Sequence, residues 1–91
     1  MEFEWDIDKN KANQKKHKIS FEEAAEIFPY PTYEIVDTRI DYGEIRYIAI
    51  GSNSQLTIMT VVYTETEGRL RLISARRANT KEQELHYDYR T

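Results

Sequence analysis

Pro29-Tyr30-Pro31 divides the chain into two stretches of different hydrophobic period, and this division constrains the fold more than any other feature. Proline cannot continue a helix, and it biases the residue before it toward extended backbone. Upstream, residues 7 to about 17 hold only helix-tolerant types behind Asp6, which suits an N-cap. After a break at Lys18-Ile19, Ser20-Phe21-Glu22-Glu23 is a capping-box pattern that opens a second short helix to about Phe28. Downstream, Tyr33 to Val36 and Ile45 to Ile50 are rich in β-branched and aromatic residues, with Asp41-Tyr42-Gly43-Glu44 as the turn between them. Leu56 to Thr64 is nearly apolar throughout, as expected of a strand covered on both faces. Glu65 to Arg69, which includes Gly68, reads as a hairpin turn into Leu70 to Ala75. Asn79 or Thr80 then caps a polar helix ending near Asp88. With a short first strand at Phe3 to Trp5, the order is β, α, α, β, β, β, β, α. Helices grouped before and after a strand meander indicate α+β: an antiparallel-rich sheet of four to five strands, with two N-terminal helices and a C-terminal helix packed on it.

A length of 91 residues leaves room for one core, so residues 1–91 are expected to form a single domain. The absence of cysteine rules out a disulfide framework, a thiolate metal site and a cysteine nucleophile. No apolar run approaches the roughly 20 residues of a membrane helix, and the N-terminus lacks a secretory pattern, so a cytoplasmic protein is expected. There is no Gly-rich phosphate loop, no Gly-x-Ser-x-Gly elbow and no His-Glu-x-x-His. His17 and His86 are the only histidines, so neither a metal site nor a cofactor is expected. His86 falls in the terminal helix, where an exposed role without chemistry is expected.

Total charge misleads. Thirteen Lys and Arg against sixteen Asp and Glu give a net charge of -3, which taken whole argues against a nucleic-acid binder. The basic residues nevertheless form two islands: Lys9, Lys11, Lys15, Lys16 and Lys18 with His17, and Arg69, Arg71, Arg76 and Arg77. Local clusters of this kind attract phosphate while the remaining surface stays acidic. The plainer alternative is a solvated helix face and strand-edge charges. At about 100° per residue, Lys9, Asn13, Lys16 and His17 share one arc of the first helix. Lys16 and His17 also suit the negative end of the helix dipole. In the last strand, alternation points Leu72, Ser74 and Arg76 one way and Arg71, Ile73, Ala75 and Arg77 the other. Arg46, on the earlier strand, is placed to join one of the arginines across the sheet. A guanidinium at a strand end suits phosphate oxygens; it equally suits a salt bridge with Glu44, Glu65 or Glu82.

Taken in order, these residues resemble a known family. Phe3-Glu4-Trp5-Asp6, Lys9, Asn13, Lys16-His17, Ile19-Ser20-Phe21 and Glu23-Ala24 are similar to the N-terminal signature of the BrnT toxins. Arg46, Gly51, Val61-Val62-Tyr63-Thr64-Glu65, Ile73-Ser74-Ala75-Arg76-Arg77-Ala78 and Glu82 extend the likeness over most of the chain. Lys18 stands where that family often has glycine, and Thr66 where it often has arginine. The resemblance implies a RelE-like fold and a ribonuclease toxin of a type II toxin–antitoxin module, inhibiting translation and growth. It also implies a BrnA-like DNA-binding antitoxin, with operator DNA reached only through the complex of the two.

Metal-free RNA cleavage needs a group to take the 2′-hydroxyl proton, one to stabilise charge at phosphorus and one to protonate the leaving 5′-oxygen. On the resemblance, Arg76 is the charge-stabilising group with Arg46 as helper, and His17 is the acid or base. Lys9, Asn13, Lys16 and Arg77 are the expected RNA contacts. Glu82 is either an alternative base or the partner that orients Arg76. The competing reading is a non-catalytic module that only holds an antitoxin and co-regulates transcription.

Overall fold

The computed structural model describes residues 1–90. In chain order its elements are β1 (Glu2–Glu4), α1 (Ile7–His17), α2 (Phe21–Ala25), β2 (Tyr33–Val36), β3 (Tyr47–Ser52), β4 (Ile58–Thr66), β5 (Arg69–Arg77) and α3 (Thr80–Arg90). The fold is α+β, as expected. One sheet runs β1-β5-β4-β3-β2, with every pair antiparallel except β1 with β5.

The helix signals read from the sequence are realised at the atomic level. Asp6 Oδ1 accepts the N–H groups of Asp8 and Lys9 at 2.8 and 3.1 Å, satisfying donors that the first helical turn leaves open. Lys18 ends α1 in the left-handed region, with φ of 61°. Ser20 and Glu23 form the capping box in both directions. α2 stops at Ala25 rather than near Phe28, because the N–H groups of Ile27 and Phe28 bond carbonyls only three residues back. The chain tightens into turns ahead of Pro29.

Two strands begin later than expected. The Ile45 carbonyl accepts the Thr64 hydroxyl at 2.7 Å, and β3 starts at Tyr47 rather than Ile45. Leu56 sits at φ 64° in a turn where Asn53 Oδ1 accepts the N–H groups of Gln55 and Thr57. β4 therefore starts at Ile58. The β4–β5 turn is shorter than expected, only Glu67 and Gly68, both with positive φ, which matches the twist of a tight hairpin.

The simple alternation expected of β5 is broken. Val62 pairs with Ser74 but Tyr63 pairs with Leu72, so Ile73 is an extra residue bulged out of the ladder. As a result Leu72 shares a face with Ala75, both buried, instead of with Ser74 and Arg76. On that face Ala75, Val61 and Ala49 form one paired row beneath Ile19, Phe21, Ala24 and Ile27. Gly51 permits the close approach here: a Cβ there would lie 2.7 Å from Thr32 Cγ2 and 3.2 Å from Ile27 Cβ.

The opposite face carries α3. Paired residues share a face, so the row Tyr33, Ile50, Thr60, Arg76 lies opposite Ala75. Tyr89 stacks edge-on against Tyr33 at 5.9 Å between ring centroids, and Glu82 bonds Arg76, so α3 crosses this second face. It covers only part of it. β4 is buried over Met59–Val61 but half-open at Val62, which qualifies the expectation of cover on both faces and leaves a recess beside Arg76.

His86 is not the exposed residue expected from its polar helix. It is 2% exposed because α3 turns this side of the helix inward toward Pro31. Burial holds its imidazole below the ordinary value of 6.5, opposed by a hydrogen bond with the Pro31 backbone. The unfolded chain therefore takes up this proton more readily than the folded one. Folding stability is expected to hold above about pH 6.5 and to decline below it, as the proton favours the unfolded chain. Urea unfolding measured across this range should show the slope in the wild type and lose it in His86→Gln; equal slopes would contradict the assignment.

Candidate active site

The recess is built where β5 gives way to α3. Asn79 Oδ1 accepts the Glu82 N–H at 2.9 Å while Glu82 Oε1 accepts the Asn79 N–H at 2.9 Å. This reciprocal cap pins the Glu82 side chain at the start of α3. The same carboxylate accepts both terminal nitrogens of Arg76, Nη1 at 2.7 Å and Nη2 at 2.8 Å. Such two-point pairing fixes the plane of the guanidinium as well as its position. Arg76 holds the Glu82 carboxyl down at about 2, with help from the Asn79 N–H. Glu82 in turn pushes Arg76 up. Of the possible ion-pair partners weighed for Arg76, the structure selects Glu82.

Arg76 and Glu82 line a pocket of about 120 Å³ with Arg39, Ile48, Thr60, Val62 and Ser74. The Thr60 hydroxyl is buried against the Glu82 carboxylate, which it helps keep ionised, without a hydrogen bond of good geometry. Arg39 reaches the pocket from the loop after β2. Asp37, whose side chain is wholly buried, accepts Arg39 Nε and Nη2, both at 2.8 Å, and the Tyr42 hydroxyl at 3.1 Å. Arg39 holds the Asp37 carboxyl well below the usual carboxylate range.

Beyond Arg76 and Glu82, the residues named from the sequence do not converge on this pocket. Arg46 lies before β3, bonded to Glu44 at 3.1 Å, with its guanidinium carbon 3.9 Å from the centre of the Tyr42 ring. It touches the Asp37 network through Tyr42 and does not line the Arg76 pocket. The arc of Lys9, Asn13, Lys16 and His17 belongs to the other side of the sheet. Asn13 is buried, with Nδ2 donating to the Ile19 and Ala75 carbonyls and Oδ1 accepting the Ala75 N–H. Its amide is spent on holding α1 to β5, which leaves nothing to present to RNA. Lys9 and Lys16 flank it in solvent and His17 is half-buried. Arg77, exposed at the strand end, pairs with Met59 in the row facing the Ala75 side. Ala75 faces α1 and Arg76 faces α3, so the sheet separates His17 from Arg76. Arg39 and Asp37 were not legible as site residues, since no periodicity or known motif marks Asp37-Thr38-Arg39.

The description of the ribonuclease toxin BrnT, of type II toxin–antitoxin systems, fits residues 5–82 of this chain as a family profile. The chain belongs to the BrnT family. Membership carries with it an antitoxin partner, since these toxins are halves of two-component modules. The crystal structure of the Brucella abortus ribonuclease toxin BrnT superposes with a TM-score of 0.65 at 26% identity, covering 88% of this chain and 99% of that one. No curated protein sequence matches. All but Phe3 and Glu4 of the BrnT-like residues singled out above fall inside the matched span. Among the described residues, no three His, Asp or Glu side chains are grouped to hold a metal ion. No helix among them is long and apolar enough to cross a membrane.

Proposed function

We propose that this chain is an endoribonuclease toxin that cleaves RNA without a metal and acts in the cytoplasm to arrest translation and growth. The observation that carries the reading is the Arg76 guanidinium, fixed by Glu82 in the lining of a small pocket. In-line attack of a 2′-oxygen on phosphorus expels the 5′-oxygen through a pentacoordinate state with extra negative charge. A cation held in place beforehand stabilises that state without reorganising. Of the five N–H groups of the Arg76 guanidinium, two go to Glu82 and one from Nη1 to the Arg77 carbonyl at 3.3 Å, which leaves two for a phosphate.

Glu82 acts here as a positioning residue. A carboxyl near 2 with both oxygens on Arg76 is a weak proton acceptor at neutral pH. Lys9, Lys16, His17 and Arg77 form a second cationic face, suited to the RNA backbone rather than to the reacting phosphate held by Arg76. The antitoxin is proposed to be a BrnA-like DNA-binding protein, through which the pair reaches operator DNA.

Two measurements test this. Expression without the antitoxin should arrest growth, and co-expression with it should restore growth. Purified protein should cut RNA in the presence of a chelator. A folded protein that binds its antitoxin tightly but leaves RNA intact and cells growing would establish the non-catalytic module instead.

A further inference from the structure

We propose that Arg39 is a second phosphate-binding residue, closing on the phosphate held by Arg76 from the opposite wall of the pocket, and that Asp37 is the residue that positions it. This rests on the reading of the Arg76 pocket as an RNA site, and it replaces Arg46 as the second cation. The two guanidiniums line the same small recess. At about 120 Å³ the recess is well below the roughly 300–1,000 Å³ of pockets that enclose whole small molecules. It suits a phosphodiester group, with the bases left outside.

The arrangement of Arg39 is unusual for a loop arginine. Its side chain is 64% exposed, yet the carboxylate that holds it is 0% exposed. Asp37 grips only the Nε–Nη2 edge, so Nη1 remains open for an oxygen anion. The Tyr42 hydroxyl donates to the second Asp37 oxygen, and the Asp37 N–H donates to the Arg46 carbonyl at 2.7 Å. A mobile surface arginine needs none of this; a guanidinium that must keep its orientation does. The charge of Arg39 is felt at Arg76, where it opposes the stabilising pull of Glu82. Two like charges brought together at one recess are relieved by an anion between them.

The test is binding of a fluorescent, non-cleavable 2′-O-methyl oligoribonucleotide, followed by anisotropy as a function of salt. Arg39→Gln is expected to weaken binding about tenfold, the size of one charged hydrogen bond lost. It should also flatten the dependence of log affinity on log salt by about 0.7, one phosphate contact on a single strand. Arg39→Lys keeps a partner for the buried Asp37, so it guards against misfolding. It should recover the salt slope without the full affinity, because an ammonium lacks the fork. Asp37→Asn in the presence of Arg39 should keep the slope but lose affinity, as expected of a positioning role. Unchanged affinity and slope in Arg39→Gln, or no salt-dependent binding by the wild type, overturns the proposal. Cleavage is scored separately on unmodified RNA: a wild type that binds through Arg39 but does not cut would refute the ribonuclease reading alone.

Discussion

Replacing Asn13 with alanine is expected to cost about 3 kcal/mol of folding free energy, lowering the thermal midpoint by roughly 12–24 °C for a domain of this size. The argument starts from what α1 lacks. Its one large apolar residue, Ile7, is 68% exposed, and the helix residues that are buried are Asn10 and Asn13. α1 is therefore attached by amide groups where most helices use an apolar stripe. Asn13 Nδ2 donates to the Ile19 carbonyl at 2.9 Å and the Ala75 carbonyl at 2.8 Å, and Oδ1 accepts the Ala75 N–H at 3.1 Å. Truncation strands these backbone groups at a buried site, where each unmade bond costs about 1–3 kcal/mol. Asn13→Asp should be no better, since it places a carboxylate against two carbonyl oxygens. Lys16→Ala, one turn along in solvent, should fall within about 0.5 kcal/mol of the wild type. Calorimetric unfolding of the three variants decides the matter; a loss below about 1 kcal/mol for Asn13→Ala would mean that the bracket is not what holds α1.

The same residue shows how much of the molecule was legible beforehand. Local signals were: the Asp6 cap, the Ser20–Glu23 box, the prolines and the β-branched runs each act over a few residues, and the elements formed where these signals lie. β2 appears with the expected bounds, and all eight elements appear in the expected order. What failed depends on contacts far apart in sequence. The bulge at Ile73 is a feature of how β5 pairs with β4, and it undid a face assignment based on alternation alone. Helical geometry correctly put Lys9, Asn13, Lys16 and His17 on one arc, yet could not say whether that arc met solvent or sheet. Asn13 bonds a residue 62 positions away, so its structural role was invisible locally. The candidate site was half legible. Arg76 and Glu82 were named and do meet; Arg39 was not, because its place depends on a loop folded around Asp37.

Arg76→Ala is expected to lower RNA cleavage by about 10²–10³, the usual effect of removing one fixed group that stabilises developing charge. The fold should tolerate the change. The Arg76 side chain is 41% exposed, and a pair exposed to that degree adds at most about 1 kcal/mol to stability. Glu82 also keeps its cap with Asn79 without Arg76. Arg76→Lys restores the charge but not the two-point fit to Glu82, and should recover only part of the rate. Glu82→Gln leaves the arginine charged but loosely oriented, so its defect should be smaller than that of Arg76→Ala. His17→Ala is the discriminating control. The sheet lies between it and Arg76, so its rate should stay within about tenfold of the wild type, well short of the 10²–10⁴ expected for a lost general acid or base. Initial rates on one RNA substrate, with folding checked by circular dichroism, give the comparison. If His17→Ala abolished cleavage while Arg76→Ala left it intact, the reacting phosphate would sit on the α1 face, which also carries Lys9, Lys16 and Arg77, and the Arg76 pocket would be only a secondary anion site.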